Sequence, residues 1–228
     1  MRRGRLAVFA KAPRPGRVKT RLTPVLSPEQ AAAFYEAMLA DVLVASLDFA
    51  SRLGLEPCLY FDPPEARAEL AARAPEGFGL RAQRGADLAE RMANAFAEAH
   101  ASGCPALLLR GSDSPALGLE LVEEALVRLE AGADLVLTPD QGGGYALIGM
   151  KEPRAALFEL RLSTATVLDE TLARARDLGL RAERTPATFD LDLPSDLARL
   201  DALPPDRSSD LCPRTVGFHR SLRRIGVL

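Results

Sequence analysis

The segment LAVFAKAPRPGRVKTRL, residues 6–22, joins a short apolar run to a long loop rich in proline and cations. Residues 6–10 predict a buried strand, and the prolines and glycine that follow exclude regular structure over residues 11–26. The sequence SPEQ at residues 27–30 then has the form of a capping box with proline at the first helical position, which predicts a helix over residues 28–53. A strand, an exposed loop and a helix in this order are typical of an α/β fold.

The rest of the chain continues to alternate between strands and helices. Hydrophobic periodicity predicts strands at residues 57–61, 80–83, 106–109, 134–138, 145–150 and 180–184, and helices at residues 64–74, 88–100, 119–130 and 164–178. The pattern predicts a Rossmann-like, mostly parallel central sheet with helices on both faces, whose ligands bind beyond the carboxyl ends of the strands. We expect a single domain over residues 1–228, with a core at about 5–203 and a C-terminal tail at 204–228.

The composition limits the class of protein. Hydrophobic residues make up 47% of the 228 residues and charged residues 26%, as in an ordinary globular domain. The net charge of −2 argues against a nucleic-acid binder, and no apolar run is long enough to cross a membrane. Three widely spaced cysteines form no CxxC pair, so we expect a reducing, cytoplasmic location. The oligomeric state stays open, although an apolar patch on the tail could support a homodimer.

Positive charge is concentrated at the N-terminal end. Residues 1–28 contain eight Lys and Arg residues and no acid, whereas the remaining residues carry a net charge of −10. Five of these cations lie in the loop: Lys11, Arg14, Arg17, Lys19 and Arg21. Gly16 would let backbone amides approach an anion closely, so the loop is a candidate site for a di- or triphosphate. The alternative is a solvated basic segment that binds nothing.

Five motifs occur along the chain in the order KAPRPGRVKTRL (11–22), GADL with RM (85–92), GSDSPAL (111–117), GGYALIG (143–149) and DLDLPSDL (190–197). With them, about residues 6–200 of the chain resemble the DUF2064 family of GT-A-fold transferases, the arsenosugar-biosynthesis-type glycosyltransferases. The chain is more distantly similar to the phospholactate guanylyltransferase and the molybdenum-cofactor guanylyltransferase. These are nucleotidyltransferases that share the fold.

The resemblance implies that the first two motifs hold a nucleotide. The residues that would contact its phosphates and base are Lys11, Arg14, Gly16, Lys19, Arg21, Gly85 and Asp87. The alternative for Asp87 is that it only caps the helix that begins at residue 88. The acceptor side would be formed by Gly143, Gly144, Tyr145 and Ser163.

The resemblance also implies a metal site. Asp113, at the end of a strand, would bind Mg²⁺ or Mn²⁺ against the phosphates, with Lys19 as its catalytic partner. Such an ion takes one or two carboxylates and completes its shell with phosphate oxygens and waters. Asp190 and Asp192 alternate along an extended segment, so we expect only one of them to face the site, and we choose Asp192. Either could instead cap the helix that begins near residue 194.

These motifs predict a metal-dependent transferase with a nucleotide donor. We expect a glycosyltransferase that moves a sugar from a nucleotide sugar to a small acceptor. One alternative is a nucleotidyltransferase, which would join an NTP to a phosphorylated small molecule and release pyrophosphate. The other is a non-catalytic nucleotide-binding protein, because Gly142 stands where the family usually has Asp. Leu162 stands where the family tends to have Trp, a departure that concerns recognition of the acceptor.

Overall fold

The computed structural model describes residues 2–162 and 164–227, and it confirms the predicted α/β fold. The strands are β1 (Gly4–Lys11), β2 (Leu55–Asp62), β3 (Gly79–Ala82), β4 (Leu107–Gly111), β5 (Leu135–Pro139), β6 (Tyr145–Met150) and β7 (Ala182–Arg184). They form one seven-stranded sheet in the order β3-β2-β1-β4-β6-β5-β7. All neighbours pair in parallel except β6, which runs antiparallel to β4 and β5.

Eight α-helices connect and follow these strands in the described part of the chain. They are α1 (Pro28–Leu53), α2 (Arg67–Ala71), α3 (Leu88–Ala101), α4 (Leu119–Glu130), α5 (Val167–Asp177), α6 (Ala198–Asp201), α7 (Pro205–Leu211) and α8 (Pro213–Arg224). The capping box of α1 is confirmed, since Ser27 Oγ accepts from the Gln30 N–H at 3.2 Å and Gln30 Oε1 accepts from the Ser27 N–H at 2.8 Å. Within the described ranges, no helix has the length and apolar character that a bilayer crossing requires.

The two faces of the sheet carry separate hydrophobic clusters. Leu108 of β4 packs in a cluster with buried residues of α1 and α4, whereas Leu107 and Leu109 pack on the opposite face with buried residues of α3 and α5. Burial of a leucine side chain contributes about 1.5–3 kcal/mol, so these alternating contacts fix the orientation of β4. The turn that follows β4 is therefore held at the carboxyl edge of the sheet.

Residues after 203, predicted to form a tail outside the core, instead form α7 and α8. Helix α8 packs against α1, and the buried side chains at this contact include Phe34, Met38, Cys212, Val216 and Leu222. The same cluster contains Leu22 and Leu26 of the cationic loop. The C-terminal helices thus cover apolar residues that anchor this loop, and the packed core extends beyond residue 203.

Candidate functional site

A cavity of about 1060 Å³ opens at the carboxyl edge of the sheet. It is bounded by the cationic loop after β1, the turn after β4, the glycine turn before β6 and the segment before residue 194. Small-molecule sites usually enclose roughly 300–1,000 Å³, so this cavity has room for a nucleotide and a second small molecule. All five sequence motifs therefore contribute to its wall, and the GADL motif contributes Asp87 and Leu88.

Lys19 lies at the centre of the charged groups. Its Nζ is 2.5 Å from Asp113 Oδ1 and 2.7 Å from Asp192 Oδ1, and its side chain is 3% exposed, against 47% and 34% for the two carboxylates. Burial alone lowers the pKa of the Lys19 ammonium, but the charges of Asp113 and Asp192 outweigh it and raise the pKa above its ordinary value. The three residues chosen from the sequence thus meet at one point, and the ammonium stays charged at neutral pH.

The backbone at Lys19 is held in an unusual conformation. Its φ of 47° lies in the left-handed region, which costs a residue other than glycine about 1 kcal/mol or more. Val18 and Leu22, on either side, are 5% and 0% exposed, and their burial pins the loop to the core. The apolar positions of the loop therefore hold Lys19 in the geometry that directs its ammonium between the two carboxylates.

The remaining loop cations divide into two sets. Lys11, Arg17 and Arg21 line the cavity, and Lys11 and Arg17 form no ion pair with any residue in the described ranges. Arg21 forms a longer ion pair, in which its Nη1 lies 3.7 Å from Asp192 Oδ2. Arg14 instead pairs with Glu69 at 3.1 Å outside the cavity. Gly16 has the positive φ of 71° that its turn requires, but it does not line the cavity.

The GADL motif forms the start of α3. Asp87 Oδ1 accepts from the Glu90 N–H at 2.9 Å, so Asp87 caps the helix and also lines the cavity. A Cβ at Gly85 would lie 2.7 Å from the Arg91 backbone nitrogen, so close packing against α3 is a sufficient reason for glycine at this position. Gln83 also lines the cavity, with its Nε2 donating to the Tyr60 carbonyl at 2.9 Å. Base contact by Gly85 and Asp87 stays a prediction.

Two buried residues that the sequence reasoning missed support the turn with Asp113. The Tyr35 hydroxyl shares a hydrogen bond of 2.8 Å with Ser112 Oγ, and Arg110 Nη2 donates to the Ser114 carbonyl at 2.7 Å. Arg110 is fully buried and has no carboxylate partner within the described residues. Burial lowers the pKa of its guanidinium to about 9, which leaves it charged at pH 7. A cation at the end of an apolar strand was a sequence signal for Arg110, whereas Tyr35 resembles any core residue of α1.

The acceptor side predicted from the resemblance is a glycine turn beside two carboxylates. Asp140 Oδ1 accepts from the Gly142 and Gly144 N–H groups at 2.7 and 2.9 Å. A Cβ built at Gly142 would lie 3.2 Å from Asp140 Oδ1 and 3.9 Å from Asp190 Oδ1. An aspartate at this position, which the family resemblance led us to expect, would therefore add a third carboxylate beside Asp140 and Asp190.

The other predicted acceptor-side residues have different surroundings. A Cβ at Gly143, whose φ is 88°, would overlap the Ala165 carbonyl oxygen, so the turn requires glycine for steric reasons. Gly144, Tyr145 and Leu162 line the cavity. Ser163 lies outside the described residues, and its role stays a prediction.

The prediction that only one of Asp190 and Asp192 faces the site is wrong. Both line the cavity, because residues 185–193 form no strand and side-chain alternation does not apply to them. Neither aspartate caps the following turn, where Asp196 Oδ2 instead accepts from the Asp192 N–H at 3.1 Å. Burial, followed by the charges of Asp192, Asp140 and Asp196, raises the pKa of Asp190 to about 6.

Comparison with known proteins connects this cavity to nucleotide chemistry. The 2-phospho-L-lactate guanylyltransferase of Haloarcula marismortui is 32% identical over 202 residues, which cover 86% of this chain and 84% of that protein. A Desulfovibrio desulfuricans G20 protein, provisionally assigned as a nucleotide-diphospho-sugar transferase, is 29% identical, with a TM-score of 0.85 over 99% of this chain and 97% of the other. The chain is a nucleotide-using transferase.

Family membership follows from the same comparisons. Residues 46–164 match the model of DUF2064, described as an uncharacterized protein conserved in bacteria, and the chain belongs to this family. The fold alone extends to the CMP:2-keto-3-deoxy-manno-octonic acid synthetase in complex with CTP, which is 14% identical with a TM-score of 0.54 over 87% of this chain and 96% of that one.

Proposed function

We propose that the chain is a metal-dependent glycosyltransferase that moves a sugar from a nucleotide sugar to a hydroxyl of a small acceptor. The division of charge in the cavity carries this proposal. Lys11, Arg17 and Arg21 line it from the loop after β1, whereas Asp140 and Asp190 line it beside the glycine turn. The diphosphate of a donor requires cations, while an uncharged hydroxyl requires only a group that accepts its proton.

The proposed transfer uses these two sides separately. The acceptor oxygen attacks the anomeric carbon of the donor as the bond from that carbon to the diphosphate oxygen breaks, and a nucleoside diphosphate leaves. Lys11 and Arg17 neutralise the charge that develops on the leaving group. Asp190, which accepts no hydrogen bond from the described residues, takes the hydroxyl proton. The rest of the protein's contribution is to position the two substrates.

Asp113 and Asp192 would hold the divalent metal. Their carboxylate oxygens converge on the Lys19 ammonium, so a cation already occupies the point that both share. No group of three or more His, Cys, Asp or Glu residues that could bind a metal occurs in the described ranges. A pair of carboxylates fits Mg²⁺ or Mn²⁺, whose remaining ligands would be phosphate oxygens and waters. When bound, the ion would neutralise charge on the donor phosphates.

The second candidate is nucleotidyl transfer, which the similarity to the guanylyltransferase favours. In that reaction a phosphorylated acceptor attacks the α-phosphate of an NTP, and pyrophosphate leaves. Such an acceptor carries at least one negative charge of its own. The carboxylates of Asp140 and Asp190 would repel it, and this repulsion is our reason to place glycosyl transfer first.

The leaving group distinguishes these functions. The protein is incubated with nucleotide sugars or NTPs in the presence of Mg²⁺ or Mn²⁺, together with pools of acceptors that carry a hydroxyl or a phosphate group. Ligand binding is measured separately, as the rise in melting temperature that each ligand causes. Release of a nucleoside diphosphate from a nucleotide sugar would support glycosyl transfer. Release of pyrophosphate from an NTP would instead support nucleotidyl transfer. Binding without either product would favour the non-catalytic alternative.

Two arginines of the cationic loop provide a matched test of the phosphate contacts. Arg17→Ala is expected to weaken binding of a nucleoside diphosphate about tenfold, because Arg17 lines the cavity without a carboxylate partner. Arg14→Ala removes the same charge from the same loop, but Arg14 pairs with Glu69, so affinity should stay near the wild-type value. Titration calorimetry at two salt concentrations measures both, and only Arg17→Ala should reduce the salt dependence. Equal losses in the two variants would contradict a specific contact by Arg17.

A further inference from the structure

Two loops of the candidate site leave the sheet side by side and then lose their backbone contact. The parallel ladder between β1 and β4 ends with Phe9 opposite Gly111. Beyond this pair, β1 continues only to Lys11, where the cationic loop begins, and the turn with Asp113 begins at Ser112. Because no strand pairing continues, side chains must fix the position of one loop relative to the other.

Tyr35 of α1 joins the two loops at their base. Its hydroxyl accepts a hydrogen bond from the Lys11 backbone N–H at 3.0 Å and shares another with Ser112 Oγ at 2.8 Å. The residue is 3% exposed, so water hardly competes for these bonds. Burial, and after it the charge of Asp113, raises the pKa of the hydroxyl to about 12, which keeps it protonated at neutral pH. One buried group is thus bonded to both loops.

We propose that Tyr35 is a positioning residue, which fixes the phosphate-binding cationic loop against the turn after β4 and so holds the loop cations in a fixed position relative to Asp113, the proposed metal ligand. The inference rests on the proposed transfer reaction, but not on which group is transferred. Arg110 supports the other end of the same turn through the Ser114 carbonyl. Fixing both ends matters because a displacement of about 1 Å between catalytic groups can cost on the order of a hundredfold in rate.

Tyr35→Phe tests this role, because it removes the hydroxyl and keeps the ring. Tyr60→Phe is the matched control: Tyr60 is 1% exposed, its hydroxyl accepts from Arg5 Nη1 at 3.2 Å, and it does not line the large cavity. Both variants lose one buried, hydrogen-bonded hydroxyl, so similar shifts of the urea midpoint are expected. At a temperature where both are fully folded, kcat should fall about tenfold or more in Tyr35→Phe only. The KM for the donor should change less, because the loop cations remain.

Amide hydrogen exchange reports the same connection without any substrate. Peptides that cover residues 11–22 and 110–117 should exchange faster in Tyr35→Phe than in Tyr60→Phe. Unchanged exchange in these peptides, or a kcat within twofold of the Tyr60→Phe value, would overturn the positioning role. A wild-type protein that turns over no donor would instead count against the proposed function, while exchange would still decide whether Tyr35 holds the loops together.

Discussion

Asp113→Asn is expected to lower turnover of the nucleotide donor by about 10³-fold, because it removes one of the two carboxylates proposed to hold the metal. A metal ion that neutralises phosphate charge contributes several kcal/mol to the transition state, and each 1.36 kcal/mol corresponds to a factor of ten. Asparagine keeps the volume of the side chain and one oxygen, but not the charge. The Asp113 carbonyl, which accepts from the Leu191 N–H at 3.0 Å, is unaffected, so the turn should persist.

Stability should change little in Asp113→Asn, because the carboxylate is 47% exposed and Lys19 keeps its contact with Asp192. Asp48→Asn is a suitable control, since it removes an exposed carboxylate that pairs with Arg52 on the surface of α1. Donor turnover is measured at saturating Mn²⁺, with Mn²⁺ affinity followed by calorimetry. Turnover within a few-fold of wild type would remove Asp113 from the catalytic site, whatever its effect on folding.

The proximity of Lys19 and Asp113 could be predicted from the sequence because the carboxyl ends of parallel strands share one edge of a sheet, whereas Asp192 was expected there only from the family resemblance. Asp113 follows an apolar strand and Lys19 lies in the loop of a neighbouring strand, so topology alone brings them close. The capping box of α1 was equally predictable, because its signal lies within four residues. Local patterns and strand order therefore account for the positions of Lys19 and Asp113 at the site.

Contacts between distant segments could not be predicted in this way. Helix α8 packs against α1 through contacts such as that between Thr215 and Asp41, which are 174 positions apart, and no local pattern in the sequence predicts that contact. Arg14 pairs with Glu69 of α2 rather than lining the cavity. Which of the loop cations pairs outside the cavity depends on the position of α2, which the sequence of the loop does not contain. Asp190 faces the site because its segment is irregular, and no strand periodicity can describe such a segment.

Lys19→Met is expected to lower donor turnover by about a hundredfold or more, because it removes the ammonium proposed to act with Asp113 on the charge of the donor phosphates, while costing only about 1–2 kcal/mol of unfolding free energy. Methionine approximates the length of the side chain and leaves the backbone preference at this left-handed position similar, so the change isolates the ammonium. Loss of one partner from a fully buried ion pair usually costs about 3–5 kcal/mol. Here the cost is smaller, because Asp113 and Asp192 are 47% and 34% exposed and water can screen them.

The affinity for Mn²⁺ in the absence of nucleotide separates a catalytic role of the Lys19 ammonium from a purely structural one. In the wild type, the Lys19 ammonium and a metal ion would share the same two carboxylate oxygens. Lys19→Met should therefore bind Mn²⁺ more tightly, although its turnover is lower, because the competing cation is gone. Lys19→Arg is the matched variant, since it keeps the charge but has a planar guanidinium that is larger than the buried ammonium, and it should not restore turnover. If Lys19→Met bound Mn²⁺ as the wild type does and kept its turnover, the ammonium would have only a packing role, and Asp113 and Asp192 would need another reason to converge.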